Sequence, residues 1–218
     1  MQLKKSSEGL FLEGVIDGKV YTYKLDFLSG KSEYRRLHGG GRGELIAKAI
    51  GIKLQANPSV LDLTAGLARD AYVLACLGCN VTMIERSEII YRLVEDAIRR
   101  AKVDEEFKKL HLNLIHAEAK DYLKKLPDEN IPDVIYMDPM FPERKKSALV
   151  KKEMRILKAI VGGDEDADLL LELALKKAKK RVVVKRPRYA EALKGPKPDV
   201  VFPGKSSRFD VYLTPLSF

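Results

Sequence analysis

Asp138-Pro139-Met140-Phe141-Pro142 is the stretch with the plainest chemical capacity, because it follows Asp133-Val134-Ile135-Tyr136-Met137, an apolar run that reads as a buried strand. A carboxylate, a proline and an aromatic ring at a strand's carboxyl end can hold a planar, amine-bearing ring beside a reactive carbon. The Asp138 carboxylate and the backbone carbonyl next to Pro139 accept hydrogen bonds from an exocyclic NH2, and Phe141 offers a stacking face. The alternative is a strand closed by a tight proline turn. Residues elsewhere in the chain weigh against that alternative.

Other chemistry-bearing residues also collect at strand ends. Val60-Leu61-Asp62-Leu63-Thr64 is followed by Ala65-Gly66-Leu67-Ala68-Arg69-Asp70, whose small residues let backbone approach a ligand as a helix begins. The next strand ends in Glu85-Arg86, an acid placed to bond ribose hydroxyls, and the third ends near Glu118. A dinucleotide fingerprint needs three glycines in this turn, and only Gly66 is present. Pro203-Gly204-Lys205-Ser206 imitates the end of a P-loop, but Asp199 stands where its first glycine belongs. The acids Asp62 and Asp70 would repel a pyrophosphate, yet they suit a ligand carrying an amino group and a sulfonium charge. S-adenosylmethionine is such a ligand.

The elements that position these residues follow from periodicity. Residues 8–28 alternate around Asp17-Gly18 and predict a β-hairpin, hence a small β-rich N-terminal subdomain over residues 1–37. His38-Gly39-Gly40-Gly41-Arg42-Gly43 opens onto a short helix closed by Gly51, and its loop either approaches a ligand or turns the chain into the core. From residue 60, strands at 60–64, 80–84, 112–115, 133–137 and 181–184 alternate with helices at 67–77, 87–101, 118–126, 149–161 and 164–180. Two short strands close the chain near 199–202 and 208–213. Repeated βα units predict an α/β domain over residues 38–218, with a mostly parallel sheet covered on both faces.

Composition narrows the partners. Forty Lys and Arg against 31 Asp and Glu give a net charge of +9, which favours an anionic partner, nucleic acid first. No run of 18 apolar residues occurs and the N-terminus does not read as a signal peptide, so no membrane partner is expected and a cytoplasmic protein is. Cys76 and Cys79 lack a second metal-ligating pair, and His38, His111 and His116 are scattered, so no metal is expected. Cys76 instead ends a helix, Gly78 closes it, and Cys79 enters the next strand.

Taken together, these blocks resemble the RsmJ family, S-adenosylmethionine-dependent methyltransferases acting on guanine N2 of small-subunit ribosomal RNA. The likeness rests on Gly39-Gly40-Gly41-Arg42-Gly43-Glu44, the segment from Asp62 to Asp70, Glu85-Arg86 and Asp138-Pro139-Met140-Phe141-Pro142. It continues through the segment from Lys146 to Arg155 and Val182-Val183-Val184-Lys185-Arg186-Pro187, and the stretch after Phe141 is its most specific part. The resemblance implies a Rossmann-like class I methyltransferase with a seven-stranded sheet. It also implies that Arg69, Asp70, Glu85, Arg86, Glu118, Ala119 and Asp138 line the cofactor pocket, beside Asp62 and Gly66 in the first turn. Ala68 stands where the family usually has glycine, and Glu118-Ala119 where small hydroxyl residues are common.

Catalysis is then expected from Asp138, Pro139 and Phe141, with Phe141 stacking on a guanine taken out of the RNA stack. Two basic clusters are expected to hold RNA phosphates: Arg144, Lys145, Lys146, Lys151, Lys152, Arg155 and Lys158, and then Lys185, Arg186 and Arg188. A solvated helix face is the alternative for the first cluster. Three further readings stay open: methylation of adenine N6, methylation of a protein glutamine, and a non-catalytic ribosome- or RNA-binding protein.

Overall fold

A strand buried on both faces must be apolar at consecutive positions, and Val134-Ile135-Tyr136-Met137 is buried at all of them. The computed structural model describes residues 1–16, 18–29, 43–53, 57–140, 160 and 166–214. Among these, the chain forms β1 (Gln2–Ser6), β2 (Gly9–Ile16), β3 (Lys19–Tyr23), α1 (Leu45–Ile50), β4 (Ser59–Asp62), α2 (Arg69–Cys76), β5 (Asn80–Glu85) and α3 (Glu88–Ala101). It continues with α4 (Glu105–Lys108), β6 (Leu112–His116), α5 (Ala119–Lys125), β7 (Val134–Met137), α6 (Ala167–Leu175), β8 (Arg181–Pro187), β9 (Val200–Pro203) and β10 (Ser207–Leu213).

The main sheet has seven strands in the order β6-β5-β4-β7-β8-β10-β9, with β10 antiparallel to both of its neighbours and the other pairings parallel. This is the predicted α/β, Rossmann-like sheet. Alternation along each strand sends Val60, Met83, Tyr136 and Val183 into one buried cluster with α1, α2 and α3. Leu61, Ile84, Ile135, Met137 and Val182 go to the other face, against α5 and α6. The strand order reverses between β4 and β7, so a crevice opens there beyond their carboxyl ends.

The predicted hairpin is β2–β3, and β1 extends it into a three-stranded antiparallel sheet. Gln2-Leu3-Lys4-Lys5-Ser6 gives no warning of a strand, because nearly every one of its side chains faces solvent. The small sheet lies against α3, where the buried Asp96 carboxylate fastens it: Oδ2 accepts from Leu10 N at 2.9 Å and from Arg100 Nε at 2.8 Å. Leu12, Leu25 and Phe27 enter the same core as α1–α3, and Phe27 meets Tyr72 with ring centroids 5.0 Å apart. Helix α2 starts at Arg69 rather than 67, because Gly66 and Ala68 both hold left-handed backbone (φ +50 and +55). The predicted helix at 149–161 and the glycines at 39–41 fall outside the described residues, apart from Ile160.

Candidate active site

The turn after β4 is tied to both neighbouring strands. Asp62 Oδ1 accepts from Thr64 N at 3.0 Å and closes the turn locally. Glu85, ending β5, accepts from Gly66 N at 2.9 Å on one oxygen and from Ser87 N at 2.7 Å on the other. On the β7 side, Leu63 N donates to the Tyr136 carbonyl at 3.0 Å, and Asp138 N donates to Thr64 Oγ1 at 2.6 Å. The switch-point crevice therefore has a floor fixed by hydrogen bonds on both sides. A Cβ added at Gly66 would meet nothing nearer than the Thr64 carbonyl at 3.8 Å, so its φ of +50, rather than crowding, is what favours glycine.

Above this floor lies a charged chain of side chains. Tyr136 OH donates to Asp70 Oδ2 at 2.7 Å. Lys185 Nζ bridges the same oxygen, at 2.6 Å, and Asp138 Oδ2, at 2.7 Å. Burial alone would depress the Lys185 ammonium, but the Asp138 and Asp70 carboxylates outweigh it and hold the group above its usual range. Burial, reinforced by the Asp70 charge, pushes the Tyr136 phenol well above its usual value, so it stays a neutral donor. Burial also raises the Asp62 carboxyl, to about 8. Asp138 keeps 39% of its side-chain surface exposed, against 17% for Asp70, and is the more open of the two carboxylates.

The structure thus brings Asp62, Gly66, Asp70, Glu85 and Asp138 together at one edge. Pro139 is buried directly behind Asp138. Arg69 opens α2 and donates to Tyr23 OH at 3.4 Å, linking the crevice wall to the small sheet. Arg86 stands 3.8 Å from Asp166 and accepts His116 Nε2 on its carbonyl at 3.1 Å. Glu118 is exposed at the N-cap of α5 without a side-chain capping bond, with Ala119 half-buried after it. Phe141, Arg144, Lys145, Lys146, Lys151, Lys152, Arg155 and Lys158 lie outside the described residues.

Two expectations are corrected. Lys185 and Arg186 do not form a surface cluster for phosphates, because β8 runs on to Pro187 and both are strand residues paired with β10. Lys185 turns to the crevice face, where two carboxylates already neutralise it. Arg186 turns to the other face, is 6% exposed, and donates to the Glu191 carbonyl. Sequence reading also passed over Tyr136 and Thr64. A tyrosine inside a fully buried strand needs a partner for its hydroxyl, and that was the available signal for Tyr136. Thr64 carried none.

The acids around an open backbone cradle fit a cationic sulfonium and amino group, which is the chemistry of S-adenosylmethionine. A family model described as "Putative SAM-dependent methyltransferase" matches residues 1–214. The chain belongs to that family. Among curated relatives, the ribosomal RNA small subunit methyltransferase J of Coxiella burnetii is 61% identical over 189 residues, spanning 87% of this chain and 74% of that one. The protein of the same description from Shewanella sediminis is 52% identical over 198 residues, 89% and 76% of the two chains. A crystal structure of an S-adenosylmethionine-dependent methyltransferase from Neisseria gonorrhoeae aligns at TM-score 0.73 and 38% identity, covering 95% of this chain and 80% of that one. The T. thermophilus 16S rRNA methyltransferase shares the fold at TM-score 0.50 and 16% identity, over 94% of this chain and 50% of that one.

Gly66, Asp70, Glu85 and Asp138 supply the cradle and the acids whose chemistry suits that cofactor. Among the described residues, no group of three His, Cys, Asp or Glu is placed to hold a metal ion, and no helix is long and apolar enough to cross a membrane.

Proposed function

We propose that this methyltransferase acts on the exocyclic N2 of a guanine in small-subunit (16S) ribosomal RNA, free or within the 30S subunit, in the cytoplasm. The observation that carries the reading is the half-exposed Asp138 carboxylate at the strand-order reversal, held by Lys185 while the Asp138 backbone N–H donates to Thr64. The names of the 61% and 52% identical relatives support ribosomal RNA as the substrate class. When bound, S-adenosylmethionine supplies an electrophilic methyl group, so no strong base is needed to begin.

The difficulty lies in the acceptor, whose amine lone pair is delocalised into the ring. Asp138 accepts a hydrogen bond from the amine, and the carbonyl beside Pro139 accepts the other. Together they draw the nitrogen out of conjugation and aim it. Because Lys185 shares its proton-rich head with Asp138, that carboxylate acts as an orienting acceptor rather than a strong base. Its open side then passes the surplus amine proton to water. Positioning supplies most of the acceleration.

Labelled S-adenosylmethionine, with small subunits lacking the modification, tests this directly. N2-methylguanosine is the expected product, and Asp138→Ala is expected to lower kcat by about 10²- to 10³-fold. N6-methyladenosine, or label in protein, would replace the guanine reading. Subunits left unlabelled by a protein that binds its cofactor would remove it.

A further inference from the structure

Beyond β8 the chain makes a tight turn whose backbone is held from beneath. Arg208 Nη1 donates to the Arg188 carbonyl at 3.0 Å and also to that of Ala190, while Arg186 donates to the Glu191 carbonyl. Arg208 is itself fixed by Asp210, which is fully buried, through Nε at 2.7 Å and Nη2 at 3.0 Å. Ala190 N closes the turn on the Pro187 carbonyl, and Arg188 N bonds the Ser206 carbonyl, both at 3.0 Å. Arg186 and Asp210 are buried and Arg208 is partly exposed, and the two-pronged Arg208–Asp210 pair offsets the cost of taking the carboxylate out of water. What this framework presents is Tyr189, 78% exposed, with the Arg188 guanidinium 5.2 Å from its ring centroid.

An exposed tyrosine on a loose loop would need no explanation. Here a rigid turn carries an aromatic face just past the strand end that supplies Lys185 to the crevice. Tyr189 is four residues from Lys185, so it lies at most about 13–14 Å away, within reach of a nucleotide flanking the one in the site. Lys205 is exposed and precedes Ser206, whose carbonyl holds Arg188 N. An aromatic face with a guanidinium and a lysine close by is the chemistry that receives an unpaired base and its phosphates.

We propose that Tyr189 is a stacking platform for an unpaired RNA base beside the target nucleotide. The proposal rests on the ribosomal RNA reading above and deepens it. In methylation of unmodified small subunits, Tyr189→Ala is expected to raise KM about tenfold, with kcat falling far less and cofactor affinity by calorimetry unchanged. Tyr189→Phe should restore KM. The chain has no tryptophan, so Tyr189→Trp places a single indole at the platform. Its emission should be quenched by protein-free 16S rRNA transcript at concentrations where anisotropy reports binding.

A KM for Tyr189→Ala within twofold of the parent's overturns the platform while leaving the parent's methylation intact. Raised KM with an unquenched indole overturns it too, because Tyr189 would then meet ribosomal protein instead of a base. If the parent itself fails to methylate subunits, the ribosomal RNA reading has failed and the platform falls with it.

Discussion

At the scale of single residues, the acids at the strand ends were legible because each stands where an apolar run stops. Which of them is neutralised, and by what, was not. That depends on β7 and β8 lying side by side, so that Tyr136 and Lys185 reach the same face as Asp70. Two carboxylates sharing one ammonium make a prediction. Lys185→Met keeps the volume of the side chain but removes the ammonium that Asp70 and Asp138 share. Such a pair holds a proton to higher pH than either acid does beside an ammonium. The acid limb of the kcat profile should therefore move to higher pH, and kcat at neutral pH should fall at least about tenfold. Lys185→Arg should recover part of the loss. An unmoved acid limb in Lys185→Met would show that the ammonium does not govern Asp138. Ala68 belongs to the same scale. Its φ of +55 is a left-handed backbone where Ala68 bears the Cβ clash, costing about 1–2 kcal/mol, that a glycine would lack.

At the scale of elements, the alternation of strands and helices was readable because parallel strands are apolar throughout and their helices carry a stripe. The early end read for β8 has one cause, charge inside a strand. Arg181-Val182-Val183-Val184-Lys185-Arg186-Pro187 looks finished at Val184, yet backbone pairing with β10 carries it three residues further. The strand β1 is polar for the opposite reason, since it covers little. What secures the small sheet is α3, through Asp96, only 7% exposed. Burial would raise this carboxyl, but Arg100, Leu10 N–H and Arg99 outweigh it and hold it at about 2. A depressed carboxylate contributes stability that is fully present above its unfolded value near 4 and is lost as pH falls towards 2. Asp96→Asn should therefore cost about 1–2 kcal/mol in urea unfolding at pH 7, with the gap to the parent narrowing between pH 4 and 2. A gap that stays constant over that window would mean that Asp96 acts by packing alone. Gly9→Ala attacks the same junction, because its Cβ would sit 2.6 Å from Arg100 Nε and 2.7 Å from Asp96 Oδ2 on a φ of +118. A loss of about 2 kcal/mol is expected.

At the scale of the whole molecule, the charges are divided. The crevice is acidic, as a cationic cofactor requires, while the chain as a whole carries +9. Between residues 144 and 158 there are seven Lys and Arg against the single Glu153, so this stretch holds most of the excess. Its position just after Asp138-Pro139 puts the excess next to the site in sequence. If these lysines meet phosphates, each contact releases counterions, and the logarithm of RNA affinity falls with the logarithm of salt by about 0.7–0.9 per phosphate. The double variant K151Q/K152Q should then weaken RNA binding and flatten that slope by about 1.4–1.8, with cofactor affinity unchanged. A slope equal to the parent's would show that neither lysine meets a phosphate. Stacking releases no counterions, so Tyr189→Ala should lower affinity by the same factor at every salt concentration. The two variants therefore separate what holds the RNA backbone from what holds a base. At high salt, where the lysines contribute least, Tyr189 should account for the larger share of the remaining affinity.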